Sequence, residues 1–348
     1  MLTDAELLQL ASYSWYDNAK ALPEGTPPEL FNNLSKAAAE NHPKASARFY
    51  LQYLVMLAGS EEFESADPAM LEAILADPEL LFASWDYLTG YPDKIVAAVE
   101  DDEMETAGLR YVLVGVVLKN RHNKNLSTTK QMAAWNTYFA LQVGEDEELP
   151  AEIIDDIRAD GIAAEKKTAG SHERQSVIDI VSSTYMKAGL VDDARALLKA
   201  EIGTSKTPYY FMSGLAWLEE QEGNMDLAVD WRRKAYENST GPATRIRWWA
   251  RYTQAVVRMV PEQPEAIDAA AMAIFTETEL LGQIFAGANF RNLQNTTNAL
   301  QGWDEEHNAG ESKLGAYHAA IKSLCSEQAL SLIHISEPTR PVGISRMP

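Results

Sequence analysis

Four polar side chains fall on one helical stripe and are the residues best suited to recognition chemistry in this chain. Arg247, Arg251, Gln254 and Arg258 are spaced four, three and four apart, which lines them up along one face at 3.6 residues per turn. A guanidinium presents a rigid fork of N–H donors, so a row of them suits carboxylates gripped by paired hydrogen bonds. The rest of the segment is apolar (Ile246, Trp248, Trp249, Tyr252, Val256, Val257, Met259), which leaves the arginine stripe as its wet face. From Asp230 to Arg258 seven bases (Arg232, Arg233, Lys234, Arg245, Arg247, Arg251, Arg258) stand against Asp230 and Glu237. The competing reading is an ordinary solvated face whose charges are met by acids such as Glu219, Glu220 and Glu222.

Elsewhere the residue types do not assemble a catalytic or metal centre. His172-Glu173 lacks the second histidine, four residues on, that a helix-borne zinc pair needs. His307 and His318 have a spacing that a helix would align, but Gly310 interrupts it. Gly203-Thr204-Ser205-Lys206-Thr207 has residues of a phosphate loop without its leading glycine spacing or preceding strand, and reads as a linker between helices. Asp156, Asp160 and Gly161 suggest a calcium loop until Arg158 takes a ligand position and Lys167 replaces the closing Glu. Cys325 is the only cysteine, so an intramolecular disulfide, a C-x-x-C pair and a multi-Cys zinc site are all excluded. The expectation is a non-enzymatic chain with no catalytic residue, no metal and no cofactor.

The elements that must position the stripe are helices. Thr3-Asp4-Ala5-Glu6 reads as a capping box, reached directly from Met1 with no secretory leader between. Thr26-Pro27-Pro28-Glu29, Asp67-Pro68 and Asp77-Pro78 place caps and prolines at helix starts, and Ser127 and Ser171 are further N-cap candidates. Between these marks apolar residues recur every three or four positions over segments of roughly 10 to 18 residues, and no stretch alternates with period two. This predicts roughly 14 to 16 helices and no strands.

A repeat supports antiparallel helix pairs. Gly189, Ala194 and Pro208 recur 34 residues later as Gly223, Ala228 and Pro242. That period is the tetratricopeptide length: glycine for the turn between paired helices, alanine for their close approach, proline for the next start. Ile178 and Met212 stand where that family has its first-helix Trp, and a third pair needs an insertion, because 34 further residues reach Val257 and Thr276. The expected fold is an all-α, tetratricopeptide-like α-solenoid. Its expected divisions are an N-terminal helical region 1–168, helical repeats 169–329 and a non-native tail 330–348. In such arrays the first helix of each pair lines the concave groove, and the helix carrying the arginines is a first helix. The aromatics Tyr209, Tyr210, Phe211, Trp217 and Trp231 read as core between stacked helices.

Charge narrows the partners. The chain holds 30 basic and 51 acidic residues in 348, a net −21 that disfavours nucleic acid and anionic membranes. No apolar run reaches the length of a membrane span, so membrane insertion is not expected. From Glu61 to Glu105 there are 14 acidic residues against one base, Lys94. A protein or acidic peptide is the expected partner of the stripe, with the acidic segment as its competitor.

Two resemblances complete the reading. The string Ser331-Leu332-Ile333-His334-Ile335-Ser336-Glu337-Pro338-Thr339-Arg340-Pro341 is similar to translated sequencing-adapter read-through, seen at the ends of assembled environmental genes. Pro208-Tyr209-Tyr210-Phe211-Met212, Gly214-Leu215-Ala216, Ala235-Tyr236 and Gly241-Pro242-Ala243-Thr244-Arg245 resemble the helical C-terminal region of proteobacterial thioredoxin-family proteins. So does the opening Leu7-Leu8-Gln9-Leu10-Ala11-Ser12-Tyr13-Ser14-Trp15, and the likeness runs from about residue 2 to 329. It implies a truncated parent whose thioredoxin module and C-x-x-C pair are missing here, with this chain as a partner- or substrate-binding extension. The parent would be periplasmic. The alternative is a stand-alone cytoplasmic helical-repeat scaffold for protein–protein interaction.

Overall fold

The computed structural model describes residues 3–18, 22–23, 26–60, 65–99, 108–142, 148–277, 287–307 and 314–327. Among them there are 18 α-helices and no strand, so the fold is the expected all-α array of helix pairs. The chain divides into two compact units, Met1–Leu190 and Val191–Pro348. The expected boundary at 168/169 falls before helix α11 (Arg174–Lys187), which packs on α9 (Thr128–Gln142) and α10 (Ala151–Lys167) and so belongs to the first unit. The tail 330–348 lies outside the described residues.

In the first unit the helix starts follow local chemistry. Thr3 and Glu6 close a reciprocal capping box on α1 (Asp4–Ser12), each side chain meeting the other's backbone N–H. Helices α2 (Glu29–Ala38) and α3 (Pro43–Leu57) pack as a pair. The stretch from 69 to 97 breaks into four short helices, which is why the count exceeds expectation. They are α4 (Ala69–Ala76), α5 (Pro78–Ala83), α6 (Trp85–Gly90) and α7 (Pro92–Ala97). Asp77 caps α5 by accepting from the backbone N–H of Glu79 and Leu80 at 2.7 and 3.2 Å. Ser127 accepts from Lys130 N–H at 3.3 Å at the start of α9, whereas α11 begins three residues after Ser171. Helix α8 (Leu109–Asn120) pairs with α9. The core gathers Leu51, Leu54, Ile74, Trp85, Leu88 and Leu113, each contributing on the order of 1.5–3 kcal/mol by burial.

The second unit carries the repeat. Its helices are α12 (Val191–Ile202), α13 (Pro208–Gln221), α14 (Met225–Asn238), α15 (Pro242–Met259) and α16 (Pro264–Met272). A 3₁₀ turn (Ala273–Thr276), α17 (Gly287–His307) and α18 (Gly315–Glu327) follow. Gly189 ends α11 at φ 73° and Gly223 ends α13 at φ 77°, the left-handed conformation that glycine adopts without a Cβ clash. The capping bond repeats too: Leu190 N–H reaches Tyr185 O and Asn224 N–H reaches Glu219 O, both at 2.8 Å and 34 residues apart. Ala194 and Ala228 are fully buried, and Pro208 and Pro242 open α13 and α15. The insertion required by the third pair is one extra turn, since α15 has 18 residues against 14 in α13. The core of this unit surrounds Trp248, Trp249, Val256, Ile267, Leu300 and Trp303.

Candidate functional site

Helix α15 sets the stripe by what it hides. Ile246, Trp248, Trp249, Ala250, Tyr252, Thr253, Ala255, Val256 and Met259 are buried, so the helix offers only a narrow polar edge. Trp249 is anchored by an indole N–H to Ala270 O at 3.0 Å, which fixes the rotation of α15 and with it the direction of the arginines. Helix α14 packs against both α13 and α15, and side chains of all three meet around the stripe.

Each stripe residue has a distinct environment. Arg247 is half-buried and donates through Nη2 to the Tyr210 hydroxyl at 3.0 Å, while its Nε–H is buried with no acceptor among the described residues. Arg251 is exposed; its guanidinium lies 4.8 Å from the centre of the Trp248 ring and has no carboxylate partner among the described residues. The Trp248 indole N–H is itself buried without an acceptor among the described residues. Gln254 donates from Nε2 to Thr296 Oγ1 of α17 at 3.0 Å. Arg258 forms a short charge-assisted pair with Glu220 of α13. At Arg258 the competing reading of the stripe, a face met by local acids, is the one observed: the acid it has found, Glu220, is one of those candidates. Glu219, the next residue, is instead turned to Arg195 and Asn224 at 2.8 and 2.9 Å.

A fifth contributor lies outside the stripe's own helix. Arg232 of α14 reaches the same region half-buried, donating to Ser213 Oγ at 2.5 Å. Its pKa is lowered by burial first, then by the like charges of Arg251 and Arg258, against the pull of Glu220. Burial, then the Arg247 charge, lowers Arg251 as well. Glu220 is thus paired with Arg258 and acts on Arg232, whereas Arg251 has no carboxylate partner and two buried donors have no acceptor among the described residues. Only the packing of α14 could reveal Arg232, because its own helix pattern does not distinguish it from Arg233. The aromatics divide: Tyr209 and Phe211 are core as expected, Tyr210 and Trp231 are half-buried, and Trp217 is 39% exposed. By helical spacing Tyr210, Ser213, Trp217 and Glu220 occupy one face of α13.

Beyond Arg258 the stripe opens on a cleft of about 560 Å³ between α15 and α17, bordered by Gln254, Val257, Arg258, Ala299, Gly302 and Trp303. The Trp303 indole N–H is fixed on Pro261 O at 2.8 Å.

The first unit holds a separate polar cluster. Asp160 on α10 accepts from Arg121 Nε at 2.8 Å, Trp135 Nε1 at 3.0 Å and pairs with His122 Nε2 at 2.6 Å. Asp156 takes another Arg121 nitrogen at 2.9 Å, so these two acids face one guanidinium. A cavity of about 80 Å³ adjoins His122, Gln131, Asp160 and Lys167. Among the described residues no group of three or more His, Cys, Asp or Glu is placed to hold a metal ion, and no helix is long and apolar enough to cross a membrane. The side chain of Cys325 lies outside what is described. No protein-family model, curated protein or solved structure matches the chain.

Proposed function

We propose that this chain is a non-catalytic binding module whose second unit, a tetratricopeptide-like repeat, captures an acidic segment of a protein partner. The recognition surface is the stripe Arg247, Arg251, Gln254 and Arg258, completed by Arg232 and by the aromatic face of Tyr210 and Trp217. The observation that carries this reading is a charge left over: Arg251 has no carboxylate partner among the described residues, beside Arg258 and Arg232, which draw on Glu220, in a protein of net −21. Clustered like charges beside buried, unmatched donors raise the free energy of the empty surface. A carboxylate on Arg251 relieves the like-charge repulsion, a charge-assisted contact contributing about 1.5–3 kcal/mol before ordering costs. Glu220 shows the chemistry in miniature on Arg258.

The thioredoxin-family context belongs to the same proposal. Its support is the residue pattern from Pro208 to Arg245; the thiol–disulfide chemistry would lie in a module upstream. Genomic sequence upstream of Met1 tests it: an open frame encoding a C-x-x-C segment supports the context, and a stop codon rejects it.

The binding reading is tested with a labelled hexaglutamate peptide titrated at 20 and 200 mM NaCl. Binding should weaken with salt, and Arg247→Gln/Arg251→Gln should cost at least tenfold in affinity while the thermal midpoint stays in place. Equal affinity of the double variant and the parent protein would overturn it.

A further inference from the structure

We infer that the anion this surface takes is a phosphoryl group on a serine or threonine of the partner, held by Arg251, Arg247 and the Tyr210 hydroxyl around the ring of Trp248. The inference rests on the acidic-partner reading and names the group that the partner presents.

One indole gathers the three side chains. The Tyr210 ring meets the Trp248 ring edge-on, with centres 5.5 Å apart. Arg247 keeps to the same pair, its guanidinium carbon 5.8 Å from the centre of Trp248 and 5.9 Å from that of Tyr210. Arg251 stands one turn further along α15 and folds back over the preceding turn, as long helical side chains do. Its guanidinium carbon comes to 4.8 Å from the same Trp248 centre. Two guanidiniums and a phenol therefore border a single ring.

What these groups have left to offer is donors. Arg251 has the ring contact and no carboxylate among the described residues. Arg247 has one hydrogen bond there, to the Tyr210 hydroxyl at 3.0 Å. The Tyr210 oxygen accepts that bond, so its own O–H remains to be given. Burial first, then the Arg247 charge, lowers the Arg251 pKa, so the two cations act on one another.

The same unit shows what a carboxylate needs. Glu277 is held by the fork of Arg245, through Nε and Nη2, and by the hydroxyl of Tyr236. One guanidinium and one tyrosine complete a monoanion with two oxygens. At Trp248 a tyrosine stands with two guanidiniums, which is one charge and one set of donors more than a carboxylate matches. A phosphoryl monoester matches it, with three terminal oxygens and a charge of about −1.5 to −2 at pH 7. The surrounding charge selects how that group is presented. Nucleic acid and anionic lipid bring an extended negative field, which a chain of net −21 repels. A phosphorylated side chain delivers its charge at one point.

Fluorescence anisotropy on the full chain at pH 7.5 tests this with three labelled peptides. Each has two glutamates on either side of a central pair, which is Ser-Ser, Glu-Glu or phosphoserine-Ser; the last two carry nearly the same net charge. The phosphoserine peptide should bind about tenfold tighter than the Glu-Glu peptide. Arg251→Gln should reduce that preference to about threefold or less. Tyr210→Phe keeps the ring, removes one donor and should also lower the preference about threefold. Lys119→Gln, on the exposed side of α8 in the first unit, removes one positive charge and should leave the preference in place. All three variants should keep the parent's thermal midpoint. If the Glu-Glu peptide binds as tightly as the phosphoserine peptide, in an Arg251-dependent way, the phosphoryl inference fails while the acidic-partner reading stands. A preference that survives Arg251→Gln or Tyr210→Phe overturns the inference equally, because the phosphate then sits elsewhere. Displacement of the phosphoserine peptide by an equal concentration of inorganic phosphate would assign the site to the free ion and overturn the partner-borne form. If no peptide binds, both readings fall together.

Discussion

Glu219 and Glu220 are neighbours in sequence with opposite assignments, because successive residues on a helix point about 100° apart. Glu219 is 3% exposed and faces Arg195 of α12; Glu220 pairs with Arg258 of α15. Burial alone would raise the Glu219 pKa, but hydrogen bonds from Arg195 and Asn224, with the Arg195 charge, outweigh it and hold the carboxyl below its ordinary value. A carboxyl depressed in the folded state adds stability above its unfolded pKa and loses it as pH falls through the folded one. Glu219→Gln should therefore cost about 2 kcal/mol in urea denaturation at pH 7, and the difference should shrink in acid, as pH falls below the ordinary carboxyl range. An equal penalty at pH 7 and in acid would mean that shape, and not charge, is what Glu219 supplies.

At the scale of elements, the paired helices depend on two glycines that have no steric reason for existing except backbone conformation. A Cβ at Gly189 or Gly223 would meet no atom within 4 Å, yet both sit at φ above 70°. Alanine there should cost about 1–2 kcal/mol per site through the left-handed backbone alone. Gly115 is the control: it lies inside α8, exposed, with open space where a Cβ would stand and no positive φ. Gly115→Ala should raise stability by about 0.5–1 kcal/mol. The opposite signs, read from thermal melts of the three single variants, are the test; a stabilising Gly223→Ala would remove the turn-glycine account of the 34-residue repeat. The same repeat places the arginines, because Pro242 and Gly241, at φ 84°, set where α15 begins.

At the scale of the whole molecule, each unit has its own interior. One large core draws on Ala47 to Ala134 and includes Trp85, the other on Tyr209 to Ile321 and includes Trp248, Trp249 and Trp303. A unit of this size buries enough surface to fold independently. The fragment from Val191 to Pro348, expressed alone, should give a helical circular-dichroism spectrum, a near-ultraviolet tryptophan signal and a cooperative melt. Retained helicity with a lost near-ultraviolet signal would show that its packing needs the first unit. The same fragment should keep the salt-sensitive binding of acidic peptide, since every residue of the proposed surface lies within it.

The helix class, the 34-residue pairing and the stripe of Arg247, Arg251, Gln254 and Arg258 were legible in the residues, because capping, turn geometry and helical period are local rules acting within a few positions. Local signals stop at the helix ends. Pro78, Ser84 and Pro92 each carry start signals, but only packing decided that residues 69–97 make four helices and that α11 joins the first unit. The charge state of the stripe was equally hidden. Glu220 and Glu219 are interchangeable in composition, and Arg232 sits on another helix; which acid pairs, which arginine joins and which donors lack an acceptor depend on how three helices rotate against one another. That rotation is set by buried contacts far apart in the chain, such as Trp249 on Ala270 and Trp303 on Pro261. No spacing within a single helix encodes them.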